Sequence, residues 1–238
     1  MSIEAPTKAP PPDQAPLLTY AVLAGLTPLI PIPFVDDLAR DYFRRRLVQT
    51  LAAARGVSLS REAVGVLAAE PSGCLAAGCL VQVLLFVPRL VFRKLFFWLE
   101  WKRSLDLTSQ TYHFGYLVDC ALQDGFLDPT GGLGVDTVRQ AILDVCREAP
   151  IRPVETAVKA AFQQSKSGLR NAVRTLLQAL RNLRGRRDSA GVEDTLTAVD
   201  AEERREVAGV VEALQSRLQG VPEAHFQRLR EQLRSRLA

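Results

Sequence analysis

Two histidines, four cysteines, an aspartate pair and a glycine cluster are the residues of this 238-residue chain whose types could do chemistry. His113 and His225 have no cysteine or carboxylate at metal-ligand spacing, so the spacing indicates no metal site. Asp119 and Cys120 follow His113 closely enough to make a catalytic group with it, against the plainer reading of a structural histidine. Cys74, Cys79, Cys120 and Cys146 form no CxxC pair, which points to a reducing compartment without a disulfide framework. Gly131-Gly132-Leu133-Gly134 precedes a helical pattern and could cradle a phosphate on backbone N–H groups. It lacks the Lys-Ser/Thr of a P-loop and no strand pattern precedes it, so an ordinary loop is the expectation. Asp36 and Asp37 lie beside Arg40, but adjacent helical residues do not face one site, and their carboxylates suit the positive end of a helix. There is no nucleophile elbow and no HExxH. The expectation is a protein that is not an enzyme, with no catalytic residues, metal or cofactor.

The chain must therefore be read through its apolar patterning. Hydrophobic residues make up 47% and charged residues 24%, close to ordinary globular proportions, and the mean hydropathy of +0.04 lies between soluble and integral membrane proteins. The most apolar stretch is 74–101, whose residues 75–92 carry one charge, Arg89. That length is at the lower edge of a bilayer-spanning helix, which needs about 20 residues. Pro88 interrupts the backbone bonding near its end, and Trp98 and Trp101 suit a membrane interface. Three readings stand: a short or re-entrant membrane segment, a helix in the plane of the interface, or a core helix of a soluble bundle. On the first two, Leu75, Val81, Val83, Leu84, Leu85, Phe86, Phe92, Phe96, Phe97, Trp98 and Trp101 contact the membrane.

Hydrophobic periodicity makes the rest of the chain all-α, a helical bundle with strongly apolar helices followed by a C-terminal helical hairpin. Residues 1–16 read as a disordered proline-rich tail, with Glu4, Lys8 and prolines where a signal peptide would have a basic and then an apolar region. Residues 17–187 form the bundle, membrane-associated on this reading. Its first helix ends at the corner made by Pro28, Pro31 and Pro33. The next carries Phe43, Leu47, Leu51 and Ala54 on one face, with Arg44, Arg45 and Arg55 pointing elsewhere, and ends at Gly56. Ser60 caps a short helix. Another is predicted over 111–123 and a further one from Asp136, striped by Val138, Ile142, Val145 and Cys146. Pro153 suits the first turn of a helix reaching 183, with Gly168 as its weak point.

The pattern AVLAGLTPLIPIPFVDD, then an amphipathic helix, then ARGVSLS, resembles the helical membrane-associated domains of the EcsC type, and similar domains that accompany some bacterial GTPases. There an apolar helix ends in a P-[IL]-P corner and an amphipathic helix follows. The resemblance spans about residues 20–60 and implies membrane association without a mechanism.

Charge is distributed unevenly. From 152 to 187 there are nine Lys or Arg and one acid, Glu155. Leu169, Val173, Leu176, Leu177, Leu180 and Leu183 occupy about a third of that helix's circumference. Arg170, Arg174 and Arg181 line one edge, followed by Arg184, Arg186 and Arg187. Two readings compete: an edge that binds anionic lipid while leucines insert, or a core helix with a solvated edge. Nucleic acid is not indicated, because no aromatic residues interleave the cations.

Residues 188–200 read as a polar linker, and 201–238 as a hairpin hinged at Gly220-Val221-Pro222. Val207, Val211, Leu214 and Leu218 on its first helix, with Phe226, Leu229 and Leu233 on its second, form narrow stripes expected to bind a protein partner. The functional expectation is a scaffold or adaptor attached to the cytoplasmic face of a membrane. The alternatives are a soluble all-α scaffold with both apolar runs in its core, and an accessory to a GTPase or transporter.

Overall fold

Gly25 and Gly115 decide how the centre of the bundle is built. A Cβ on Gly25 would lie 1.8 Å from Thr108 Oγ1, and one on Gly115 would lie 2.3 Å from Leu17 Cδ1. These contacts bring α1 (Gln14–Leu26) against α4 (Arg93–Gln123) in antiparallel order, at a separation only glycine permits. The computed structural model describes residues 14–30, 35–69, 93–128, 131–181 and 189–238, and every statement below concerns these.

The described chain is all-α. α1 is buried from Leu17 to Leu26 except for half-exposed Thr19, so it is apolar all round because it has neighbours all round. Those neighbours are α2 (Val35–Ala54), α4 and α8 (Ser189–Leu218). α6 (Arg152–Gln164) and α7 (Lys166–Arg181) pack on α8, and α6 also on α4. α3 (Arg61–Ala68), α5 (Val135–Glu148) and α9 (Glu223–Leu237) complete the other side, with α5 against α3, α4 and α9. A 3-10 turn over Thr27–Leu29, with Pro28 inside it, ends α1.

Local signals set several boundaries. Gly56 (φ 68°) closes α2: its N–H donates to Ala53 O and that of Val57 to Ala52 O, the paired bonds of a Schellman cap. Gly125 (φ 76°) closes α4 in the same way, with Phe126 N–H donating to Ala121 O. Ser60 Oγ accepts from Ala63 N–H at 3.0 Å and starts α3, while Pro153 lies in the first turn of α6.

Other boundaries differ from the sequence reading. Residues 14–16, expected in the tail, are already helical. α4 extends over 31 residues instead of 111–123, because Ser104, Thr108 and Ser109 are small enough to be buried against α1. Thr108 and Ser109 turn their hydroxyls to Ser104 O and Leu105 O one turn back, which satisfies them within the helix. Asp136 lies in the first turn of α5, whose N-cap is Gly134. The break after α6 falls at Ser165, not Gly168; Gly168 instead fits where α7 meets α8, a Cβ there lying 3.4 Å from Glu206 O.

The linker and hairpin are corrected. Residues 189–200 belong to α8, a 30-residue helix held to α2 by a bond from the Tyr42 hydroxyl to Thr197 Oγ1 at 3.2 Å. α8 packs on α1, α2, α6 and α7, whereas α9 packs on α4 and α5. The two C-terminal helices thus complete the bundle instead of forming an appended pair.

Candidate functional site

α7 carries an exposed pair of arginines beside apolar residues. Leu169, Ala172 and Leu176 are fully buried and fix the helix to its neighbours. Val173 and Leu177, one step around, are only half-buried. Beside them Arg170 and Arg174 are exposed, and with Val173, Leu177 and Gln178 they line an open depression. Among the described residues neither arginine has a hydrogen-bond or ion-pair partner. The site therefore presents two uncommitted guanidinium groups, one helical turn apart, on an apolar shoulder. Such a surface can engage oxyanions through charge-assisted N–H bonds while its apolar part loses water. The side chain of Arg181, and Arg184, Arg186 and Arg187 entirely, lie outside the described residues.

Of the expected membrane contacts, Leu75, Val81, Val83, Leu84, Leu85, Phe86 and Phe92 lie outside the described residues, as do the side chains of Phe96, Phe97 and Trp98. Trp101 is half-buried and meets Phe162 of α6 edge-on, with ring centroids 5.8 Å apart. That contact turns part of its ring towards the bundle. Among the described residues no helix is long and apolar enough to cross a membrane.

The stripes expected to bind a partner lie as follows. Val207, Val211, Leu214, Leu218, Leu229 and Leu233 are buried in the core, and Phe226 packs on Tyr112 and Tyr116. These stripes are narrow because each packs within the bundle.

The other candidate groups have structural occupations. Gly132 N–H donates to Asp128 O and Leu133 N–H to Phe126 O, so these loop donors bond within the loop instead of cradling an anion. Asp119 accepts both nitrogens of the Arg55 fork and the amide of Gln123, which makes it a cross-tie instead of a catalytic partner for His113. Cys120 and Cys146 are free thiols, pushed by burial up to about 11 and about 12. Both are therefore poor nucleophiles at neutral pH. Asp124 is the C-cap of α4, where the helix dipole opposes a carboxylate. Burial pushes its pKa up, but hydrogen bonds from Arg234 and Arg230 of α9 outweigh this and hold it at about 2. Among the described residues no three His, Cys, Asp or Glu side chains gather as a metal site.

One association was not legible in the sequence. The two histidines meet: His113 Nε2 and His225 Nε2 are 3.0 Å apart across the α4–α9 contact. They are 112 residues apart, and no local pattern encodes that contact. His113 Nδ1 lies 2.7 Å from Ser109 O, which can only accept, so Nδ1 carries the proton and Nε2 is bare. His225 therefore donates from Nε2. Burial pushes His113 down to about 4, against the Ser109 bond and with the help of His225; burial, then Arg228, also lowers His225.

The chain matches no protein-family model, no curated protein and no solved structure.

Proposed function

We propose that this chain is a non-enzymatic helical scaffold or adaptor that attaches to the cytoplasmic face of a membrane through the basic edge of α7. The observation that carries this reading is the pairing of exposed, uncommitted Arg170 and Arg174 with half-buried Val173 and Leu177. A cation near an anionic bilayer contributes about 1 kcal/mol. Arg181, Arg184, Arg186 and Arg187 continue the same charge in sequence. The resemblance of residues 20–60 to EcsC-type domains supports the same location, and an accessory role beside a GTPase or transporter is compatible with it. The occupation of Asp119, Asp124 and the glycine loop by structural bonds supports a binding role over a catalytic one.

A second reading, a soluble all-α scaffold, is favoured by α1. The first apolar run is buried on every side by protein, and Trp101 faces Phe162. Co-sedimentation of the full chain with vesicles decides between the two. The membrane reading expects binding to vesicles with phosphatidylserine, weakened by salt and by Arg170→Gln/Arg174→Gln/Arg181→Gln, and little binding to neutral vesicles. Equal binding to both vesicle types, or binding to neither, rejects the basic edge as the attachment and favours the soluble scaffold.

A further inference from the structure

The α4–α9 contact sets two imidazoles among aromatic rings and beside a charged cluster. From α4 it presents His113, Tyr112, Tyr116 and Asp124; from α9, His225, Phe226, Arg230 and Arg234. The imidazole planes stand at 83°, so the ring of one aims a nitrogen at the edge of the other. The Tyr116 hydroxyl donates to Phe226 O at 3.2 Å, beside the histidines. Further along α9, Arg230 and Arg234 fork onto Asp124, and near its end Arg236 bonds Glu148 of α5.

We propose that the His113–His225 contact is an acid-sensitive latch for α9, closed by one N–H···N bond at neutral pH and opened when both rings are protonated. The proton count follows from the geometry. With Nδ1–H committed to Ser109 O, His113 can only accept at Nε2. A first extra proton goes to His225 Nδ1 and leaves its Nε2–H donating. A second goes to His113 Nε2, and two N–H groups of two imidazolium ions then face each other at 3.0 Å. Docked α9 cannot hold that state, whereas undocked α9 leaves both rings in water.

The surrounding charges do not relieve the repulsion. On α9, Arg228 acts on His225, and it is itself a cation. His225 also lies in the first turn of α9, at the positive end of its dipole. On α4, Asp119 is engaged by Arg55 and Asp124 by Arg230 and Arg234, and the tyrosine hydroxyls are neutral. On α5, Asp144 and Glu148 are engaged by Arg236, 11 residues along α9 and so about 16 Å from His225. Among the described residues neither imidazole has a carboxylate partner.

The sign is that of a base lowered on docking. Undocked, His113 binds its proton near 6.5; docked, near 4. Docking is therefore weakened as pH falls through that interval, by about 20-fold between pH 7 and pH 5 from His113 alone. Asp124 stays ionised throughout it, so the Arg230 and Arg234 ties remain while the N-terminal half of α9 lifts.

Hydrogen exchange of the full chain, corrected for the chemical exchange rate, tests the latch. At pH 5 the amides of residues 226–230 should lose about 20-fold of their pH 7 protection, while α1 stays protected and the loss reverses at pH 7. In His113→Gln/His225→Gln, whose amides can still bond each other, that acid loss should disappear. Unchanged protection in the wild-type chain overturns the latch, as does equal loss in α1. So does the same acid loss in the double variant. The wild-type profile decides alone if the variant does not fold.

Discussion

Arg55, the residue that ends α2, holds Asp119 near the C-terminal end of α4 by a two-pronged fork, Nε to Oδ1 at 2.8 Å and Nη2 to Oδ2 at 2.9 Å. The carboxylate is 3% exposed and the guanidinium 22% exposed, so the pair is unequal. Removing Arg55 strands a buried charge. Removing Asp119 leaves a cation that still reaches water. Breaking a buried pair costs about 3–5 kcal/mol. Asp119→Ala should fall at the lower end and Arg55→Met at the upper. The urea midpoint, with unchanged slope, measures both. The double variant Arg55→Met/Asp119→Ala should lose less than the sum. Simple additivity would mean that the fork does not couple the two helices.

The glycines predict a ranking. At Gly25 the obstacle is the β-branched Thr108, anchored by its hydroxyl to Ser104 O, with that carbonyl itself 3.1 Å from the new Cβ. At Gly115 the obstacles are the ends of Leu17 and Leu47, which can rotate. At Gly65 of α3 and Gly209 of α8 nothing lies within 4 Å. Gly25→Ala should therefore destabilise most, by about 3 kcal/mol, and Gly115→Ala by about 1 kcal/mol. Gly65→Ala and Gly209→Ala should each stabilise by up to about 1 kcal/mol through helix propensity. Thermal melts of the four variants give the order directly. A neutral Gly25→Ala would contradict the close crossing of α1 and α4.

What the sequence made legible was local. The cap at Ser60, the left-handed Gly56, the stripe of Val138, Ile142 and Val145, and Pro153 are all recognised within one or two helical turns, and the structure has each where the pattern put it. Interactions that skip along the chain were not legible. Arg44 looks like a solvated residue, yet it is 5% exposed, stacks over Phe114 at 4.1 Å and donates to Ala68 O at 3.0 Å. Nothing near Arg44 in sequence announces either partner. The leucine stripe of α7 was legible as an amphipath. Which part of it is buried depends on α8, which is why Val173 and Leu177 emerge only in the structure as a half-buried shoulder.

Residues 189–200 offer a direct test of that distinction. Their polar composition reads as a linker, and their backbone is the start of α8. Thr197 is exposed, so a substitution there removes little packing. Thr197→Pro should still cost about 3 kcal/mol, because it deletes an interior helical hydrogen bond and crowds the preceding turn. Thr197→Ala, which removes the Tyr42 bond and keeps the helix backbone, should cost about 1 kcal/mol. Chemical denaturation distinguishes the two. Equal, small effects would return this stretch to a linker.

Asp124 gives the prediction with the clearest change of sign. It sits at the C-cap of α4, where a carboxylate is disfavoured by the helix dipole, and it is tolerated because Arg230 and Arg234 both bond to it. Its folded pKa of about 2 lies below the ordinary 3.8, so its stabilisation is complete above about pH 4. That stabilisation is lost as pH falls from about 4 through 2, and only below 2 do folded and unfolded states become equally protonated. Asp124→Asn should therefore weaken the protein at pH 7 and become almost harmless near pH 2. In an Arg230→Gln/Arg234→Gln background the attraction is gone while the dipole remains. There, Asp124→Asn should stabilise at pH 7, by up to about 1 kcal/mol. Urea titrations of the four chains at pH 7 and pH 2 give the comparison. If Asp124→Asn still weakens the chain without the arginines, Asp124 is held by something other than α9, and the docking of that helix must rest on its leucines.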